Sequence, residues 1–273
     1  MLFLVHSYLR KNVHCYLPFT GVYRNSISLR EYGGSIDNIE IFNSLLFISF
    51  NLQYDDDYKF EWIIIDTLGK IFKKKQRTLP VFKSNFLHGG GTYFFDNKLN
   101  YWNQFIDTVF SFSPDFSVEP NFIFKQGEYR LPKEYVNDPL KMLPNYFIIN
   151  QILETNKFLI IRYSFYKGKN GLVVIDKKKK ESFLTYWKFD DYGSIVNDLD
   201  GGINSLPISY MVDNGKEYVI EFIDSFQLKA HIKSDEFKSA VPKYPEKKKE
   251  LEKLANSLKE TDNPVLMLVR LKE

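Results

Sequence analysis

Short apolar runs separated by turn residues recur along this chain, and no other feature limits its possible folds as strongly. Four runs form the first clear group: 38–42, 45–50, 60–66 and 71–72. The break before the last run reads Asp66-Thr67-Leu68-Gly69, a hairpin signal in which Gly69 can adopt a positive φ. The sequence therefore predicts antiparallel strands joined by tight turns.

Comparable groups of about four runs follow one another, which is typical of a β-propeller built from four-stranded antiparallel blades. A β-sandwich would also contain many short strands, but it would not produce recurring quartets. We therefore predict an all-β fold, a single propeller domain over residues 1–273. Its expected blades are a partial N-terminal blade and four further ones: 1–30, 38–80, 86–125, 146–188 and 195–271.

A helix is expected over residues 245–260, inserted in the last blade. Pro245 suits a first helical turn, and leucines recur on one face of this charged segment. Residues 224–239 are also expected to be helical, and residues 131–136 to form a short helix or turn.

The charge balance argues against a nucleic-acid partner. The chain has 37 Lys+Arg and 34 Asp+Glu, a formal net charge of +3. Lysines cluster at 73–75, 177–180 and 247–249, but these runs fall at hairpins and on a helix face. A nearly neutral chain lacks the long-range field that nucleic-acid binding needs.

Aromatic residues make up 17% of the chain, which favours β-structure.

Cys15 is the single cysteine, so a disulfide framework and a multi-cysteine metal site are excluded. The apolar start, residues 1–5, is interrupted by His6 and Arg10, which does not match a secretory signal. No run approaches the ~20 apolar residues of a membrane span. As written, the sequence is expected to carry no export signal and no transmembrane segment.

Several stretches resemble bacterial six-bladed β-propeller proteins of the NHL- and TolB-like group, many of them predicted lipoproteins of unknown function. The stretches are 64–70, 105–115, 198–202 and 262–272. The resemblance extends from about Gly21 onward and implies a periplasmic or cell-surface location. No motif in it is specific for a reaction.

The chain departs from that group at its beginning. It lacks the Gly-Pro-Gly-Glu-Tyr-like turn of the early blades, so it resembles the later blades only, roughly four and a fragment. An incomplete propeller leaves a long strand edge exposed. Residues 1–30 are therefore expected to pack poorly.

Acidic residues provide one group of candidate ligand-binding positions. Asp198-x-Asp200-Gly201-Gly202 resembles the first half of a calcium loop, although the later acidic ligands are missing. The alternative is a tight turn whose carboxylates accept local backbone N–H groups. Asp190 and Asp191 lie nearby and could contribute. No metal or other cofactor is predicted.

Aromatic residues provide the second group. Trp102 and Trp187, with Tyr101 and Tyr186, are expected near strand ends, where their faces could stack on sugars or apolar side chains. The alternative is that they pack between blades. The predicted ligand-binding set is Trp102, Trp187, Asp190, Asp191, Asp198 and Asp200.

No catalytic constellation is found in the sequence. His88-Gly89-Gly90-Gly91 matches an oxyanion loop, but the Gly-x-Ser-x-Gly elbow that this loop requires is missing, so a Gly-rich turn between blades is expected. The favoured function is a non-catalytic binding or scaffold protein that contacts a protein or glycan partner. The alternative is a propeller enzyme of the lactonase or lyase kind, which would use channel-facing carboxylates.

Overall fold

The computed structural model describes residues 3–7, 12–17, 19–32, 35–51, 59–78, 90–125, 127–131, 145–165, 170–187 and 195–272. The chain divides into two compact units. Unit 1 is Met1–Ile152 with Ser164–Gly168, and unit 2 is Leu153–Tyr163 with Lys169–Glu273. Each unit is described by itself.

Within the described residues, the strands form five sheets in which the strand order follows the chain order. The first sheet contains β1 (Phe3–Ser7), β2 (Asn12–Tyr16) and β3 (Tyr23–Ser28). The second contains β4 (Ser35–Phe42), β5 (Leu45–Asn51), β6 (Phe60–Ile65) and β7 (Ile71–Gln76). The third contains β8 (Gly90–Phe95), β9 (Lys98–Asn103), β10 (Thr108–Phe112) and β11 (Val118–Ile123).

The fourth sheet contains β12 (Phe147–Glu154), β13 (Phe158–Phe165), β14 (Asn170–Asp176) and β15 (Glu181–Trp187). The fifth contains β16 (Ser209–Asp213), β17 (Lys216–Ile223) and β18 (Val265–Arg270). The prediction of a mostly β protein with several four-stranded antiparallel sheets is confirmed. This up-and-down order is the topology of a propeller blade.

Two-residue turns with positive φ explain why neighbouring strands pair as hairpins. Asn43 and Ser44 have φ values of 46° and 67°, and Asp96 and Asn97 have values of 50° and 57°. Their handedness matches the twist of paired strands. Gly69 has a φ of 88°, as expected for the Asp-x-x-Gly turn.

Three helices lie between β17 and β18: α1 (Ser225–Lys233), α2 (Asp235–Ser239) and α3 (Pro245–Ser257). Ser234 caps α2 by accepting a hydrogen bond from the Phe237 N–H at 3.1 Å. The Lys229 ammonium donates to the carbonyl oxygens of Ala255 and Leu258 at 3.2 and 2.7 Å. It therefore satisfies carbonyl groups at the carboxyl end of α3.

A short helix or turn was also predicted at residues 131–136. From residue 132 on, this segment lies outside the described residues.

An aromatic cluster packs the second and third sheets of unit 1 against each other. Phe47 and Phe112 meet edge to face at 5.2 Å between ring centroids, and Trp62 meets Phe112 at 5.0 Å. Leu99 and Tyr101 of β9 belong to the same buried cluster. One face of the third sheet is therefore occupied by core packing, and its polar residues must lie on the other face.

The prediction that residues 1–30 pack poorly is wrong for one face of β2 and β3, whereas residues 19–24 of the same segment are exposed. Val13 and Cys15 of β2 are fully buried, and Ile27 and Leu29 are nearly so. They share one apolar cluster with Ile48, Ile63 and other side chains of the second sheet. Alternation along β2 and β3 directs these side chains to one face, and that face has a partner.

Candidate functional site

A polar pocket lies on the third sheet, and the alternation of β9 explains its position. Leu99 and Tyr101 point into the aromatic cluster. Lys98 and Asn100 point to the opposite face, because successive side chains of a strand alternate. Both line the pocket.

The pocket has a volume of about 110 Å³. Its lining residues are Phe95, Asp96, Lys98, Asn100, Ser111, Glu119, Pro120 and Asn121. Pockets for whole drug-sized ligands are about 300–1,000 Å³, and a cavity of about 150 Å³ accommodates benzene. The pocket can therefore take one functional group that projects from a larger partner.

An ion pair forms the charged rim of the pocket. The Lys98 ammonium lies 2.7 Å from a Glu119 carboxylate oxygen, and the hydrogen bond to Glu119 raises the pKa of Lys98. The side chains are 35% and 59% exposed. An exposed pair of this kind contributes little to stability, so a polar ligand can exchange for either partner at small cost.

Two side-chain amides, a buried one and an exposed one, line the pocket. Asn121 donates from Nδ2 to the Asn100 Oδ1 oxygen at 3.1 Å and to the Tyr93 hydroxyl at 3.4 Å. The Asn100 side chain is 1% exposed, and its Nδ2 atom has no hydrogen-bond partner. A buried donor without an acceptor costs about 1–3 kcal/mol. The amide of Asn100 is thus available to a ligand oxygen that enters the pocket.

Taken together, the pocket offers a free amide donor, the hydroxyl of Ser111 and a charged pair that both donates and accepts. This combination suits a hydroxyl or carbonyl oxygen. It does not assemble a nucleophile with a base, since no hydroxyl of the pocket is hydrogen-bonded to a carboxylate in the described part of the chain.

Trp102, a predicted ligand-binding residue, is 2% exposed. It pairs with Gly91 across β8 and β9. A Cβ atom at Gly91 would lie 2.8 Å from the Trp102 ring, so glycine is required for this ring position. Trp102 shares the strand face of Asn100, but its ring is covered. Its ligand-binding role stays a prediction.

Asp198 and Asp200 lie in a loop whose carboxylates have partners of their own. The Asp198 carboxylate accepts from the Lys243 ammonium at 2.6 Å, and this hydrogen bond lowers the pKa of Asp198. Asp200 Oδ1 accepts from the Gly202 N–H at 2.9 Å and from Asn197 Nδ2 at 2.8 Å. The bond from the Gly202 N–H to Asp200 is the kind that the tight-turn alternative predicts.

The structure describes no side-chain positions for the remaining predicted residues. Trp187 is the last residue of β15. Asp190 and Asp191 lie outside the described residues, as does His88 of the Gly-rich motif. Gly90 and Gly91 begin strand β8. Among the described residues, no three His, Cys, Asp or Glu side chains come close enough to hold a metal ion.

The pocket residues were missed by reasoning from the sequence, although a signal was present. Asn100 is the polar residue of the otherwise apolar run 99–102, and Ser111 is the polar residue of the run 109–112. A polar side chain in such a run either faces solvent or serves a specific contact.

No helix in the described part of the chain is long and apolar enough to cross a membrane.

Comparison with known proteins now gives the family. The family described as "Domain of unknown function (DUF4934)" matches residues 2–270, nearly the whole chain, so this chain belongs to it. No curated protein matches.

Solved structures add a likeness of fold. A protein from Bacteroides fragilis NCTC 9343 that is proposed to be exported is 17% identical, with a TM-score of 0.69 over 100% of this chain and 74% of its own. Catalytically inactive virginiamycin B lyase from Staphylococcus aureus, with quinupristin, is 11% identical, with a TM-score of 0.42 over 80% of this chain and 62% of its own. The β-propeller domain of Myceliophteria thermophila Cps50 (Swd1) is 10% identical, with a TM-score of 0.40 over 82% and 62%. At 17% identity the Bacteroides structure indicates a shared fold alone. The TM-scores of the other two structures are too low to support an inference about this chain.

Proposed function

We propose that this chain is a non-catalytic binding protein, built as a single β-propeller domain, and that it binds a hydroxyl-rich partner, a glycan, through the pocket on the third sheet. The observation that carries the proposal is the Asn100 amide, which is buried in the pocket and has a free donor. A ligand oxygen that accepts from Asn100 removes the cost of this unsatisfied group.

The chemistry of the pocket favours a sugar over an apolar peptide side chain. Asn100, Ser111 and Asn121 supply amide and hydroxyl groups, and the Lys98–Glu119 pair supplies charged partners. Sugar hydroxyls donate and accept at once, and such a mixed set satisfies both roles. A volume of about 110 Å³ suits one ring substituent of a longer saccharide.

The propeller architecture and the location are part of the same proposal. Consecutive sheets with blade topology support a propeller, and the likeness to a Bacteroides protein that is proposed to be exported supports a periplasmic or cell-surface location. Trp102, Trp187, Asp190, Asp191, Asp198 and Asp200 remain predicted ligand-binding residues.

A glycan array followed by calorimetric titration tests the proposal. Asn121→Ala and Lys98→Ala are suitable variants because Asn121 is exposed and Lys98 is partly exposed, so neither should unfold the protein. Each is expected to weaken binding at least about five-fold, the effect of losing about 1 kcal/mol of hydrogen bonding. Lys179→Ala, which removes a comparable exposed ion-pair partner on another sheet, should leave binding unchanged.

Two results would contradict the proposal. One is the absence of any glycan ligand, and the other is a ligand whose affinity is the same in both pocket variants and in the control. Consumption of a bound glycan by the protein would instead support the enzymatic alternative predicted from the sequence.

A further inference from the structure

Arg162 on β13 is a half-buried cation without a counter-charge in unit 2. Burial lowers the pKa of its guanidinium, and no charged neighbour contributes to the change. In the part of the chain that the structure describes, the group has no hydrogen-bond or ion-pair partner. Arginine withdrawn from water is costly unless it is paired.

A second arginine, Arg130, shows how this chain treats such a group when its role is structural. In unit 1, Arg130 Nε lies 2.6 Å from the Asp107 carboxylate, and Arg130 also donates to the Ile106 carbonyl oxygen at 2.9 Å. Arg162 has no equivalent arrangement. The difference points to a partner that comes from outside the protein.

A second polar group lies in the same row of the fourth sheet. Arg162 pairs with Leu172, and Leu172 pairs with Thr185, without a bulge between them. Directly paired residues project from the same face of a sheet. The hydroxyl oxygen of Thr185 is buried and makes no hydrogen bond.

The face around this row is apolar. Leu172, fully buried, and Ile160, two residues before Arg162 on β13, belong to one apolar cluster. Two strand spacings separate the Cα atoms of Arg162 and Thr185 by roughly 10 Å, a gap that the long arginine side chain shortens. An oxyanion bound at this row would therefore accept from both groups.

From this arrangement we propose that Arg162 and Thr185 form an anion site, which binds the carboxylate or phosphate oxygens of a small ligand. Guanidinium binds either group through two parallel N–H donors. The site shares no residue with the pocket on the third sheet, and it does not depend on the function proposed for that pocket.

The test compares the stability of the full chain with and without anion. Urea unfolding is measured in chloride buffer, then with acetate or inorganic phosphate at the same ionic strength. At ten times the dissociation constant, the ratio of folded to unfolded protein should rise about ten-fold. A response to acetate alone or to phosphate alone identifies the preferred oxyanion.

Variants assign the effect to the site. Arg162→Met should abolish the response to anion and should not lower stability in chloride, because it removes an unpaired, half-buried charge. Arg162→Lys and Thr185→Val should each reduce the affinity at least five-fold. Arg24→Met, an exposed arginine on β3, should respond like the parent protein.

Two outcomes would overturn the proposal. An unchanged anion response in Arg162→Met would show that anions act elsewhere. Loss of stability in Arg162→Met in chloride, together with no anion response in the parent protein, would show that Arg162 has a structural role.

Discussion

The Glu221→Gln substitution should stabilise the protein at alkaline pH. Glu221 lies on β17 and is 7% exposed. Burial raises the pKa of its carboxyl group from 4.5 to about 7, although the Leu206 N–H donates to Oε2 at 2.8 Å and opposes this change. Between pH 4.5 and about 7, the folded protein therefore holds a proton on Glu221 that the unfolded chain has already lost.

The sign and the size of the effect follow from this difference. Below pH 4.5 both states are protonated, so Glu221 does not penalise folding. As the pH rises from 4.5 to about 7, stability falls, because only the unfolded chain gains from ionisation. Above pH 7 the penalty is complete, up to about 3 kcal/mol at 1.36 kcal/mol per pKa unit. Glutamine resembles the protonated acid and avoids this penalty.

Urea unfolding at pH 5 and pH 8 measures the effect. The variant should exceed the parent protein by about 1 kcal/mol or less at pH 5 and by up to about 3 kcal/mol at pH 8. Glu181→Gln, an exposed glutamate on β15, is the matched control and should show no such widening. A difference between Glu221→Gln and the parent that is the same at both pH values would refute the reasoning.

Three further predictions concern unit 1. Phe47→Ala removes a fully buried ring from the aromatic cluster and should cost about 3–5 kcal/mol of unfolding free energy in urea. Lys75→Met leaves the fully buried Glu61 without the ammonium 2.9 Å away and should cost about 3 kcal/mol, while adding Glu61→Gln should restore most of that loss by the same measurement. The buried thiol of Cys15, whose pKa is raised by burial, should react with a maleimide only after urea unfolds the protein; rapid labelling of the native protein would contradict the packing described for β2.

Local sequence signals were sufficient for the strands and turns of the second sheet. Alternation and apolar runs predicted the four strands of the second sheet, and Asp66 with Gly69 predicted the turn before the last of them. These features depend on residues a few positions apart, whose backbone preferences act without distant contacts. The packing of residues 12–29 was missed, because it depends on a partner sheet that the segment itself does not encode.

The candidate site was decided by tertiary structure. Asn100 and Asn121 come together across three strands, and the sequence does not reveal which face of each strand the core will cover. Trp102 illustrates the same limit: its type was compatible with an exposed stacking surface or with packing between blades, and the register that places it on Gly91 buries the ring. Sequence determined where strands begin and turn, since those choices are local. Strand register and sheet packing determined which polar groups lose water without gaining a partner, because both depend on contacts between distant residues.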